Sequence, residues 1–150
     1  IGSWRRGRRA DAVFVGGAMA GGVLLFRGLK ILIDRPRPPA AVQVIAENNE
    51  SLPSGHATMA TVVVGSLVVL AWAGRGALGR VLTATGALLW IGAVGLTRVY
   101  LGVHWFSDVV AGWLVGAAWL AVCAATWSWW RRRASPSLAE GTALSPDQAG

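Results

Sequence analysis

The sequence predicts an all-α fold, a bundle of helices that cross a lipid bilayer. The chain of 150 residues is 54% hydrophobic and only 14% charged, whereas about a quarter of the residues in a soluble domain are charged. Four apolar runs each match the roughly 20 residues that a helix needs to span a hydrocarbon core. Arginine clusters flank these runs, which is typical of the cytoplasmic ends of membrane helices. Together these observations predict a helical integral membrane protein with four transmembrane helices.

The four predicted helices cover residues 11–33, 54–73, 81–100 and 105–130. Ser54 precedes the second apolar run and is of a residue type that caps helix N-termini. Glycines four residues apart, Gly17 with Gly21 and Gly112 with Gly116, allow helices to approach closely.

The positive charges indicate how the helices are oriented in the membrane. Nine of the fourteen cations lie in three clusters, Arg5, Arg6, Arg8 and Arg9, then Arg75 and Arg80, then Arg131 to Arg133. Because basic segments stay in the cytoplasm, we expect all three clusters and both ends of this chain on that side. The loop 34–53 and the turn 101–104 are then extracytoplasmic. Residues 134–150 are small, polar and interrupted by proline, and are predicted to be a disordered cytoplasmic tail.

The composition also bears on possible partners. The net charge of +7 is better explained by membrane topology than by nucleic acid binding, and no nucleic acid partner is predicted. Cys123 is the single cysteine, so the chain can form no internal disulfide. Asp34, Glu47 and Glu50 share a loop without a defined metal-ligand spacing, so neither a metal nor a cofactor is predicted. The sequence leaves the oligomeric state open.

Five cations lie at or near the predicted outer face: Arg27, Lys30, Arg35, Arg37 and Arg98. Lys30 is the only lysine in the chain. Charges kept where the topology rule disfavours them are candidates for function. The alternative is that these long side chains snorkel to the outer headgroups, and for Arg27 and Arg35 individually both interpretations stay open.

The stretch "PSGH", residues 53–56, opens the second predicted helix. Ser54 can cap the helix, and Gly55 lets a ligand approach the backbone. The free N–H groups and the positive end of the helix dipole favour an anion such as phosphate at this point, within reach of His56. A plain capped helix without a ligand is the structural alternative.

His104 and Asp108 are four residues apart at the start of the fourth predicted helix and therefore share a face. A carboxylate in this position can orient an imidazole for nucleophilic attack, although a purely structural hydrogen bond is the commoner outcome for an isolated pair. Phosphoryl transfer needs cations around the phosphate, an in-line nucleophile and an acid for the leaving group. Lys30, Arg37 and Arg98 are candidates for the cations. His104 is the candidate nucleophile, and His56 is the candidate acid.

Three motifs in the sequence resemble those of the type 2 phosphatidic acid phosphatase superfamily. "KILIDRPRP" fits K-x6-R-P, "PSGH" fits P-S-G-H, and "TRVYLGVHWFSD" fits S-R-x5-H-x3-D except that Thr97 stands where the family has serine. The motifs occur in the family's order over residues 30–108. Integral membrane members resemble six-helix proteins with the first motif at the end of the third helix. On that template residues 1–133 form a partial domain without two N-terminal helices.

The resemblance implies a role for each matching residue. Phosphate is expected to be bound by Lys30, Arg37, Ser54, Gly55 and Arg98. His104 is expected to attack phosphorus and form a phosphohistidine, with Asp108 as its helper and His56 as the acid for the leaving oxygen. The family works without a metal.

We therefore predict an enzyme that hydrolyses a lipid phosphate or diphosphate at the extracytoplasmic face of a membrane. Isoprenyl diphosphates such as undecaprenyl diphosphate, phosphatidylglycerol phosphate and phosphatidate are the leading substrates. The arginine, alanine and glycine richness suits a bacterial plasma membrane. The alternatives are a lipid or sugar phosphotransferase with the same site, a non-enzymatic anion transporter, and a vanadate-binding haloperoxidase, whose soluble character the four apolar runs disfavour.

Overall fold

The computed structural model describes residues 2–133, with side chains from Arg9 onward. It contains four α-helices in this range, α1 (Gly2–Ile33), α2 (Gly55–Trp72), α3 (Ala77–Tyr100) and α4 (Phe106–Arg133), and a short 3₁₀ helix, Ala40–Val42. The described part contains no strand. The predicted tail, residues 134–150, lies outside the described residues.

Each of the four helices is long and apolar enough to cross a membrane, and the candidate span of α1 is Arg9–Ile33. The predicted all-α membrane fold is therefore confirmed. The predicted boundaries differ most at helix starts, because α1 and α3 begin before their apolar runs, at Gly2 and Ala77. Helix propensity does not end where a continuous apolar run ends, so the arginine-rich segment before residue 11 and the residues 77–80 are also helical.

Helix α2 is the centre of the described bundle. It packs against α1, α3 and α4, whereas α1 and α3 do not pack against each other within residues 2–133. A Cβ atom added at Gly112 would lie 2.7 Å from the Ser54 carbonyl oxygen, and one added at Gly116 would lie 2.8 Å from the Thr58 carbonyl oxygen. The predicted close contact at this glycine pair is confirmed. In the other pair, Gly21 lies against the Trp119 indole. A Cβ added at Gly17 would have no neighbouring atom within 4 Å, so the predicted close helix contact is wrong for Gly17.

The loop that joins α1 to α2 folds against the turn that joins α3 to α4. The Val44 N–H donates to the Leu101 carbonyl over 3.0 Å. Gly102 has a φ of +67°, and a Cβ there would overlap the Val42 carbonyl, so glycine is required by both conformation and space. The Ser54 N–H donates to the Asp108 carbonyl over 2.9 Å. These contacts bring residues 34–56 and 97–108 to the same end of the bundle.

Gly112→Leu is expected to destabilise the folded protein by about 1–3 kcal/mol, because the larger side chain forces α4 away from the α2 backbone. The measurement is the thermal unfolding midpoint of the detergent-solubilised protein, followed by tryptophan fluorescence. Gly92→Leu is the matched control, since Gly92 has nothing within 4 Å of an added Cβ. Equal midpoints for the two variants would contradict this packing.

Candidate active site

A cavity of about 640 Å³ opens at the end of the bundle where the two loops meet. Six of the eight residues predicted to form the site line it: Lys30, Arg37, Gly55, His56, Arg98 and His104. The other two, Ser54 and Asp108, are fully buried. The structure therefore brings residues from all three motifs, up to 74 positions apart in sequence, to one place.

Backbone carbonyl groups hold two of the cations in the cavity. The Lys30 ammonium donates to the Glu50 carbonyl. Arg37 donates from Nε to the Asn49 carbonyl over 2.7 Å and from Nη1 to the Val103 carbonyl over 2.6 Å. A carbonyl orients a cation without cancelling its charge. Only the Glu47 carboxylate, 3.6 Å from Arg37 Nη2, forms an ion pair with either cation in the described residues, so much of the positive charge stays available to an anion.

Arg98 lies in the last turn of α3, where Thr97 orients it. The Thr97 hydroxyl accepts from Arg98 Nε and Nη2, both over 3.2 Å, and donates to the Val94 carbonyl over 2.7 Å. Thr97 is not among the residues that line the cavity. The departure from the motif at this position therefore retains a hydroxyl whose contact is with the arginine.

The start of α2 differs in one respect from the sequence prediction. Ser54 occupies the N-cap position, but its side chain forms no capping hydrogen bond, so the predicted side-chain cap is wrong. The hydroxyl is buried and has no hydrogen-bond partner in the described residues. Gly55 is needed for packing, because a Cβ there would lie 2.9 Å from the Phe26 ring. Contact of Ser54 or Gly55 with phosphate stays a prediction.

The imidazole of His104 is placed by a buried pair of side chains. His104 Nδ1 lies 3.4 Å from Asp108 Oδ2 and 3.4 Å from the hydroxyl oxygen of Ser51. Ser51 donates its hydroxyl hydrogen to the same carboxylate oxygen, and the Trp105 N–H donates to it over 2.8 Å. Because a carboxylate only accepts, Nδ1 carries the proton and Nε2 keeps a lone pair. Nε2 lies 3.4 Å from Arg37 Nη1, at the cavity.

The environment of His104 favours its neutral form. Burial of the ring and the nearby positive charges of Arg37 and Lys30 lower its pKa from 6.5 to about 4, although the hydrogen bond to Asp108 and the carboxylate charge act in the opposite direction. A neutral imidazole is the nucleophilic form.

Arg35 supplies the counter-charge for Asp108. Its Nη1 donates to Asp108 Oδ1 over 2.8 Å and to the Ser107 hydroxyl over 2.7 Å. The Trp105 indole N–H donates to the Pro36 carbonyl over 3.1 Å, which fixes the same loop to the start of α4. A carboxylate with no exposed surface needs such a partner to offset the loss of its hydration.

Sequence reasoning missed the roles of Ser51 and Arg35. The available signal for Arg35 is its place among the outer-face cations, directly before Pro36 and two residues before Arg37. Nothing in the sequence distinguished Ser51 from other loop serines. Arg27, the fifth outer cation, also lines the cavity. No group of three or more metal-ligating side chains occurs in the described part of the chain.

Comparisons with known proteins agree on one family. The model of the PAP2 superfamily matches residues 11–133. Phosphatidylglycerophosphatase B of Escherichia coli K12, and that of Shigella flexneri, are each 36% identical to the chain over 81 residues. This alignment covers 54% of this chain and 30% of either relative, so the match spans less than a third of their length.

A solved structure shows the same architecture. It is the crystal structure of a transmembrane PAP2 type phosphatidylglycerolphosphate phosphatase from Bacillus subtilis. The TM-score is 0.72 at 25% sequence identity, and the superposition covers 84% of this chain and 61% of that one.

Ser51→Ala is expected to lower kcat about tenfold and to leave KM nearly unchanged. The variant removes one donor to Asp108 and one acceptor near His104 Nδ1, and a hydrogen bond of this kind contributes about 1–1.5 kcal/mol. Steady-state kinetics on a lipid phosphate measure both constants. Ser66→Ala is the control, because Ser66 is equally buried but bonds only to the Val62 carbonyl within α2. A kcat equal to that of the control would contradict the role of Ser51.

The low-pH limb of kcat/KM is expected near pH 4. An ordinary histidine is protonated as the pH falls through 6.5, whereas His104 keeps its Nε2 lone pair until the pH approaches its lowered pKa of about 4. Profiles with a monophosphate and a diphosphate substrate separate the ionisation of the enzyme from that of the substrate. A limb near pH 6.5 shared by both substrates would contradict the neutral state of His104.

Proposed function

Because the chain belongs to the PAP2 superfamily, we propose that it hydrolyses a lipid phosphate through a covalent intermediate on His104. The observation that carries the proposal is the placement of the unprotonated His104 Nε2 at a cavity rich in cations, 3.4 Å from Arg37 Nη1. The relatives named for phosphatidylglycerol phosphate favour that lipid. Isoprenyl diphosphate and phosphatidate are the other substrates to test.

The first chemical step is attack on the bound phosphate. Lys30, Arg37 and Arg98 bind its non-bridging oxygens, and the arginines can do so in forked geometry. His104 Nε2 forms a bond to phosphorus while the bond from phosphorus to the lipid oxygen breaks. His56 gives a proton to that oxygen, and Asp108 stabilises the positive charge that develops on His104.

The second step regenerates the enzyme. A water molecule loses a proton to His56 and attacks phosphorus, and the bond between phosphorus and His104 breaks. Inorganic phosphate leaves with both histidines back in their starting protonation states. Each of the two histidines thus acts in both steps.

The cations lower the barrier through electrostatics. Charge accumulates on the phosphate oxygens during transfer, and donors already fixed by protein contacts stabilise it without reorganisation. The carbonyl contacts of Lys30 and Arg37, and the Thr97 contact of Arg98, provide this fixing.

The side of the membrane is part of the same proposal. The cavity lies at the ends of the helices opposite to Arg75, Arg80 and the cluster Arg131 to Arg133. If these clusters are cytoplasmic, the site is extracytoplasmic, and its lipid substrate belongs to the outer leaflet of a bacterial plasma membrane.

His104→Ala is expected to lower phosphate release by several powers of ten, because it removes the nucleophile and the covalent route with it. The assay is phosphate release in EDTA from phosphatidylglycerol phosphate, isoprenyl diphosphate and phosphatidate. Trp113→Phe is a control, since Trp113 contacts α3 away from the cavity. A loss of tenfold or less in His104→Ala would contradict the mechanism. Transfer of labelled phosphate to an added hydroxyl acceptor, in place of its release, would favour phosphotransfer.

A further inference from the structure

We infer that Arg27 forms a second anion subsite in the cavity, for the phosphate group that follows the scissile phosphate on the lipid side of the substrate. The inference rests on the proposed function and adds to it a substrate class, namely lipids that carry two phosphates in succession. A diphosphate has two directly linked phosphates, and phosphatidylglycerol phosphate has a phosphodiester one glycerol unit away from its terminal phosphate.

Arg27 differs from the other cavity cations in what it contacts. Lys30, Arg37 and Arg98 each donate to protein oxygens. Arg27 lines the cavity and is exposed, yet no hydrogen bond or ion pair is formed by its guanidinium within the described residues. It therefore has up to five N–H donors without a protein acceptor. An unpaired arginine inside a membrane span is costly unless a ligand or a headgroup satisfies it.

The position of Arg27 matches the direction in which a lipid must lie. Arg27 is three residues before Lys30 on α1, so it shares the face of Lys30 and lies about 4.5 Å further from the end of the helix, toward the membrane interior. A substrate whose terminal phosphate is bound by Lys30 and Arg37 extends its lipid part toward the bilayer. It must pass the level of Arg27, where Phe26 and Met59 provide apolar walls.

The charges of the cavity favour the same ligand. Four cations line it, Arg27, Lys30, Arg37 and Arg98, against two carboxylates, Glu47 and Glu50. The described ion pair of Glu47 is with Arg37. Lys30, Arg37 and Arg98 already suffice for the oxygens of one terminal phosphate. A fourth cation one helical turn away is redundant for a lipid with one phosphate but matches a lipid with two.

The competing explanation is that Arg27 reaches to the headgroups of surrounding lipids. Headgroup phosphate and substrate phosphate present the same chemistry to a guanidinium, so the two sources are distinguished only by comparing ligands. Bulk lipid contact affects all substrates equally. A subsite affects only substrates with a second phosphate.

The test compares farnesyl diphosphate with farnesyl monophosphate, which share one tail and differ by one phosphate. Dissociation constants are measured in nanodiscs on full-length protein that carries His104→Ala, so that neither ligand is consumed. Adding Arg27→Gln is expected to weaken diphosphate binding about 10- to 100-fold, as for loss of a charged hydrogen bond, and to change monophosphate binding less than twofold. Arg27→Lys should recover part of the diphosphate affinity.

Two variants act as references. Lys30→Gln is expected to weaken the binding of both ligands, because Lys30 contacts the terminal phosphate that they share. Arg9 lies at the other end of the α1 span and outside the cavity. Arg9→Gln is therefore expected to leave the binding of both ligands unchanged. Equal effects of Arg27→Gln on the two ligands, or no effect on either, would overturn the subsite.

The binding measurement decides the subsite independently of turnover. Protein without His104→Ala is assayed in parallel for hydrolysis of farnesyl diphosphate, phosphatidylglycerol phosphate and phosphatidate. If none of these is hydrolysed while the diphosphate preference depends on Arg27, the proposed function fails and the subsite stands. If hydrolysis occurs and the diphosphate preference does not depend on Arg27, the proposed function stands and the subsite fails.

Discussion

The site depends on the buried carboxylate of Asp108. One oxygen accepts from Arg35, and the other accepts from Ser51 and the Trp105 N–H and faces His104. The carbonyl of the same residue accepts from the Ser54 N–H. One residue in the first turn of α4 therefore joins the loop after α1, the start of α2 and the turn after α3. A buried carboxylate is stable only when such donors surround it, so the contacts that offset the burial of Asp108 also assemble the three motifs.

The electrostatics of the cavity follow from how the charges are shared. Arg35 neutralises Asp108 from the side away from His104. Lys30 and Arg37 face His104 and donate their hydrogen bonds mostly to backbone carbonyl oxygens. The imidazole is buried and lies between a compensated anion and cations that are only partly compensated, and these two features explain its low pKa. The same surplus of positive charge that suppresses protonation of the nucleophile attracts the phosphate that it attacks. The positive charge thus serves both requirements of the reaction.

Much of the fold and the site could be predicted from the sequence, because the relevant signals are local. Twenty-residue apolar runs define four helices, and the spacing within K-x6-R-P, P-S-G-H and S-R-x5-H-x3-D identifies six residues that line the cavity. The contacts that hold those residues are not local. Arg35 and Ser51 reach Asp108 across 73 and 57 positions, and no periodicity encodes a hydrogen bond between loops. The side-chain cap predicted at Ser54 is absent, and the close packing of Gly112 against the Ser54 carbonyl is another contact between segments distant in sequence.

The central claim is that His104 carries the phosphoryl group, and it can be tested by mapping the phosphoenzyme. The protein and its His56→Asn variant, which lacks both the acid of the first step and the base of the second, are incubated with lipid labelled at the terminal phosphate, quenched in alkali and digested. The account predicts an acid-labile, alkali-stable label on the peptide that contains His104. Label on another residue, or turnover without any trapped label, would contradict it.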